Sequence, residues 1–167
     1  MVGKTSILEN LKRLETLYNE SVTSEKKCLF YSKLAILELC GWIEESMDDI
    51  VRKCANRKLK ENANQEHIDN TIKLTYGFVY DKHFRKMLIE LIGLINVERL
   101  EMRIDKAKFQ NMKSTLGLLR SFRDIEAHTH LKGTTRILDA PSATINKFSM
   151  VYEGLKEFEE KLKILSL

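Results

Sequence analysis

Apolar residues recur along most of the chain at intervals of three and four, the period of a helix with one buried face. Leu11, Leu14 and Leu17 follow Ser6-x-x-Glu9, a spacing that predicts a first helix opened by a capping box at Ser6. In a second helix, from Thr23 or Ser24 to about Arg57, Ile36, Cys40, Ile43, Met47, Ile50 and Cys54 draw one narrow seam, which Leu39 and Trp42 widen. Residues 59–80 are polar at first and then apolar and aromatic, and predict a short helix and a connection. Asp81 caps a third long helix, from about Lys82 to Arg103. Its centre, MLIELIGLINV, is apolar nearly all round and belongs in the middle of a bundle. A fourth runs from about Lys108 to Leu131 and stops at Gly133. Asp139, Pro141 and Ser142 punctuate the start of the last, from about Ser142 to Leu165, with Phe148, Val151, Leu155, Phe158 and Leu162 as its buried stripe. The pattern predicts an all-α fold: one domain over residues 1–167, an up-and-down bundle of four to five main helices.

Composition agrees with this picture and narrows the class. One proline and seven glycines in 167 residues leave few turn formers for a sandwich or barrel of short strands. The longest apolar stretch, Met87 to Val97, is interrupted by Glu90 and Asn96, whereas a spanning helix needs about 20 residues. With no apolar leader at the N-terminus, the expectation is a soluble, cytoplasmic protein without a membrane partner. Cys28, Cys40 and Cys54 show no CxxC and no histidine at zinc-ligand spacing, so they read as buried thiols.

Charge changes the picture once it is located. Between Lys106 and Arg136 seven cations face two anions, a net +5, so the other residues of this +4 chain sum to −1. A basic segment on a nearly neutral body can attract a polyanion without making the whole surface sticky, although a solvated helix face would look the same. The cationic run from Arg52 to Lys60 closes a long helix, where the macrodipole explains it.

Three tempting signals carry no chemistry. Gly3-Lys4-Thr5 lacks the upstream glycine and strand of a phosphate-binding loop. His128-x-His130 puts its two imidazoles about 200° apart on a helix, with no acidic pair to complete a metal set. Glu44, Glu45, Asp48 and Asp49 read as a solvated or salt-bridged face. His67 and His83 belong to no constellation and read as structural or exposed.

What remains is LLRSFRDIEAHTHLKG, residues 118–133. Arg123 is followed at once by Asp124 and, after four intervening residues, by His128. This resembles the Rx4-6H signature of the HEPN superfamily, in which a polar residue usually follows the arginine, and the all-helical setting resembles that superfamily too. The GWIEES stretch at residues 41–46 is similar to HEPN domains of the RiboL-PSP type. The resemblance implies a metal-independent endoribonuclease, a prokaryotic toxin or defence effector that uses no cofactor. It would leave 2′,3′-cyclic phosphate ends and be restrained by an antitoxin or regulatory protein. Some HEPN toxins carry a modifiable tyrosine two residues after the histidine, a position held here by His130.

The residue chemistry stands beside the resemblance. Histidine titrates near neutrality and can handle the 2′-hydroxyl or leaving-oxygen proton, the role expected of His128. Arginine offers a charged fork to phosphate oxygens, the role expected of Arg123. Asp124 lies four residues before His128 and can orient the imidazole, and Arg120 lies four before Asp124 on the same face. Lys113, Arg120, His130, Lys132 and Arg136 are the expected RNA-binding residues. Arg123 and His128 themselves fall about 140° apart on a regular helix. Either the helix distorts near His128 or a second chain completes the site, and the resemblance implies the latter, a homodimer. The alternative is a non-catalytic helical module that binds RNA, a nucleotide or a protein through the same segment.

Overall fold

A computed structural model describes residues 2–128 and 138–165 and, of His128, the backbone alone. The described residues are all-α. The elements are α1 (Thr5–Glu20), α2 (Glu25–Lys58), α3 (Asn62–Lys73), a π-helical turn (Tyr80–Phe84) leading into α4 (Arg85–Ile92), α5 (Leu94–Arg103), α6 (Lys106–His128) and α7 (Pro141–Ile164).

The four long helices form the bundle, and their contacts give its directions. Asn10 reaches Glu38, and Cys28 reaches back to Tyr18, so α1 and α2 are antiparallel. Lys108 meets Glu157 while Thr115 meets Met150, so α6 and α7 are antiparallel as well. Trp42 packs on Phe148 at one level and Lys58 reaches Leu165 at another, so α2 and α7 run the same way. The chain therefore goes up and down through α1, α2, α6 and α7, and α3–α5 form an excursion between the second and third of these.

The predicted seam of α2 and the stripe of α7 are buried throughout, with Ile43, Met47, Val151 and Phe158 fully so. They join a single core that extends from Val2 to Leu165. At Gly154, α7 comes so close to α6 that a Cβ would stand 2.5 Å from that of Met112.

Two expectations need correction. Ser6 opens no capping box: α1 starts at Thr5 behind Lys4, whose side chain makes no capping bond. The long helix expected over 82–103 is three pieces, and Asp81, expected to cap it, lies inside the π-helical turn and pairs with Lys113 instead. Gly93, at φ 76°, ends α4 and starts α5, a backbone state that glycine adopts without strain. After this break Leu94 and Ile95 are exposed, while Val97 and Leu100 are buried. One straight helix could not bury an all-round apolar surface against a bundle already built on α2. Helix α6 starts at Lys106, two residues before the expected Lys108, and Asp105 Oδ1 accepts the Lys108 N–H at 2.8 Å. The predicted stop at Gly133 lies outside the described residues.

Candidate functional site

The site is built where three elements meet: the middle of α2, the segment entering the π-helical turn, and the last turns of α6. Tyr80 and Phe84, at the two ends of the turn, pack against Phe158 of α7 at 5.4 and 5.2 Å, and Tyr80 also meets Phe109 of α6. The Tyr80 hydroxyl and Arg85 both donate to Glu101 Oε1 at 2.7 Å, which ties the turn to α5. Fixed in this way, the turn and the residues before it form a wall beside α6.

Arg123 points into that junction. Its Nη2 lies 3.3 Å from Glu44 Oε1 of α2, and its guanidinium sits 5.8 Å from the ring centroid of the buried Phe78. Glu44 Oε1 is buried and makes no aligned hydrogen bond, so this contact is a charge pair rather than a directed fork. Cys40, one turn earlier on α2, has its thiol pushed up to about 12 by burial, against the opposing pull of Arg123. It is an inert neighbour rather than a nucleophile.

Arg120 and Asp124 form the predicted pair one turn apart, with Nε and Oδ2 3.6 Å apart and both side chains about half exposed. Lys113 binds Asp81 at 2.9 Å and lies over the Tyr80 ring. His128 is the last residue of α6, and the helix is unbroken up to it. The side chain of His128, together with His130, Lys132 and Arg136, lies outside the described residues. The other two cations of the basic segment are also engaged. Lys106 reaches the Glu101 carbonyl, and Lys108 reaches Glu153 and Glu157. Each described cation of that +5 segment thus has an acceptor close by, so its excess charge is partly neutralised in the folded chain.

Sequence reasoning missed three residues here. Glu44 reads as one of a solvated or salt-bridged acidic face, a reading that leaves its partner, Arg123, unnamed. Phe78 falls in a stretch of uncertain structure, yet it backs the guanidinium. His83 reads as structural or exposed and outside any constellation, yet it sits beside this cluster. Its Nδ1 accepts the Val79 N–H at 2.9 Å, and its ring lies against Gly77. Gly77 has φ 118°, and a Cβ there would stand 2.8 Å from the imidazole Cε1. Burial is the first cause that holds the His83 imidazole below its ordinary range; the charges of Arg120 and Lys82 add to it, while the Val79 backbone and Glu44 pull the other way. A glycine six residues before a histidine is no recognisable signal, and only the π-helical turn brings that histidine to α6.

Among the described residues no group of three or more histidine, cysteine, aspartate or glutamate side chains could hold a metal ion, and no helix is long and apolar enough to cross a membrane. Comparison with protein-family models, with curated proteins and with solved structures gives no match.

Proposed function

We propose that the protein is a metal-independent endoribonuclease of the HEPN type, acting through α6. The observation that carries this reading is the Arg123-Asp124 and His128 spacing on one unbroken helix of an all-α bundle. A base removes the 2′-hydroxyl proton, the 2′-oxygen bonds to the adjacent phosphorus, the bond from phosphorus to the 5′-oxygen breaks, and that oxygen takes up a proton. His128 supplies the acid/base function, and Arg123 meets the charge that grows on the phosphate. Pairing with Glu44 engages one edge of the Arg123 guanidinium, and the side chain remains 36% exposed. Its other donors are then available to a phosphate oxygen. Because α6 continues as a helix to His128, Arg123 and His128 stay about 140° apart in one chain. This geometry favours a cleft completed by a second copy, with the chain acting as a homodimer in a toxin or defence role.

A second reading rests on the ion pairs. Every described cation of the basic segment already has an acceptor, which suits a non-catalytic module that binds RNA or a protein through part of this surface. Cleavage in the presence of a chelator separates the two. The nuclease reading requires RNA cleavage that survives chelation and falls at least ~100-fold in both His128→Ala and Arg123→Ala. Cleavage that depends on magnesium, or none at all from correctly folded protein, would overturn it.

A further inference from the structure

We propose that His83, Arg120 and Arg123 form a phosphate subsite within one chain, with the exposed ring of Tyr76 as the stacking platform for the adjoining base of a single-stranded RNA. The inference takes its ligand class from the nuclease reading, but its geometry is independent of His128.

The histidine is committed at one nitrogen. Because Nδ1 accepts the Val79 N–H, the neutral ring carries its proton on Nε2 and can only donate there. Nε2 makes no hydrogen bond among the described residues. The imidazole lies against Gly77, and the next residue, Phe78, backs Arg123, so the two donors sit over consecutive residues of one segment. Glu44 joins them from α2 by its pair with Arg123, and Arg120, paired with Asp124, lies three residues before Arg123 on the same helix. With Glu44 and Asp124 balancing the two guanidiniums, a neutral third donor lets the site accept an anion without gathering excess positive charge. Burial is the first cause that holds this imidazole below its ordinary range and so favours the neutral donor, with Arg120 and Lys82 adding to it and the Val79 backbone and Glu44 opposing.

Tyr76 supplies the base contact. It precedes Gly77 in the chain and is 80% exposed, and its ring is not spent on the core. An exposed aromatic two residues before Phe78, which backs Arg123, can serve a single-stranded nucleic acid in this way, because every base offers a face for stacking.

The test is equilibrium binding, by fluorescence anisotropy, of a roughly ten-nucleotide 2′-O-methyl RNA, which the protein cannot cleave through the 2′-oxygen. Asparagine at this position places Oδ1 where Nδ1 was, so His83→Asn keeps the acceptor for Val79 and loses only the Nε2 donor. Glutamine does the reverse. His83→Asn should weaken binding about tenfold and His83→Gln no more than about threefold. Tyr76→Ala should cost about tenfold while Tyr76→Phe leaves affinity nearly unchanged. Circular dichroism establishes that each variant is folded. The opposite order, with His83→Asn equal to wild type and His83→Gln impaired, would overturn the subsite and leave His83 a structural acceptor. Unchanged affinity in all four variants would overturn it too. Loss of the subsite while His128→Ala still abolishes cleavage leaves the nuclease reading standing. The expected order in a protein that never cleaves supports the subsite and overturns that reading alone. A wild-type protein that does not bind the oligonucleotide overturns both.

Discussion

Asp48 stands with Glu44, Glu45 and Asp49 on one stretch of α2, and its carboxyl is pushed up to about 6. Burial is the first cause and the three neighbouring carboxylates add to it, while Arg52 pulls the other way. A carboxyl raised in the fold takes up its proton at a higher pH than in the unfolded chain. The native state is therefore penalised above about pH 6, and stability rises as pH falls from there toward the ordinary aspartate value near 4. Asp48→Asn removes the penalty. It should stabilise the protein at pH 7 by about 1 kcal/mol, after discounting for the solvent that reaches this half-buried group, and the gain should vanish by about pH 4. Urea titrations at the two pH values measure this directly. At this scale the sequence was only partly legible. The spacing of Arg120, Asp124 and His128 could be read along one helix. The Glu44–Arg123 pair and the approach of His83 depend on elements far apart in the chain, which no local pattern encodes.

Among the elements, the α6–α7 contact is the most exacting. At Gly154 the nearest atom to an added Cβ is the Met112 Cβ, close to the backbone and unable to swing away, so the two helices would have to separate. Gly154→Ala should destabilise the protein by about 1–3 kcal/mol despite the higher helix propensity of alanine. Chemical denaturation at pH 7 provides the measurement, and an unchanged midpoint would contradict the contact. Helix pattern predicted α2 and α7 well, because each has one apolar face and a packed partner along its length. It failed over 82–103, where an apolar surface on every side conceals the break: period alone cannot distinguish one fully buried helix from short helices joined at Gly93. It also left the π-helical turn unseen. The aromatic residues of that turn were visible in the sequence, but their contacts with Phe109 and Phe158 were not.

For the whole molecule, the composite-site reading predicts a dimer of the 19.5 kDa chain. Light scattering on the purified protein should give twice that mass. Two basic segments brought together on one twofold axis would repel, and the internal pairs of Lys108, Lys113, Arg120 and Arg123 lower that cost before the chains meet. Inactive Arg123→Ala and inactive His128→Ala chains, mixed and allowed to exchange, should regain part of the cleavage activity if each site draws on both copies. A monomer that still cleaves RNA would rule the composite site out.

Trp42, the only tryptophan in the chain, donates from Nε1 to the Gly3 carbonyl at 2.8 Å and meets the Phe148 ring edge-on at 5.0 Å. Its indole therefore touches the lead-in to α1 and the first turns of α7 while it rides on α2. Intrinsic emission becomes an optical gauge of three-helix docking that needs no label. A shift in that signal ahead of the loss of helical circular dichroism would mark undocking before melting, and coincidence of the two would mark a bundle that comes apart in one step.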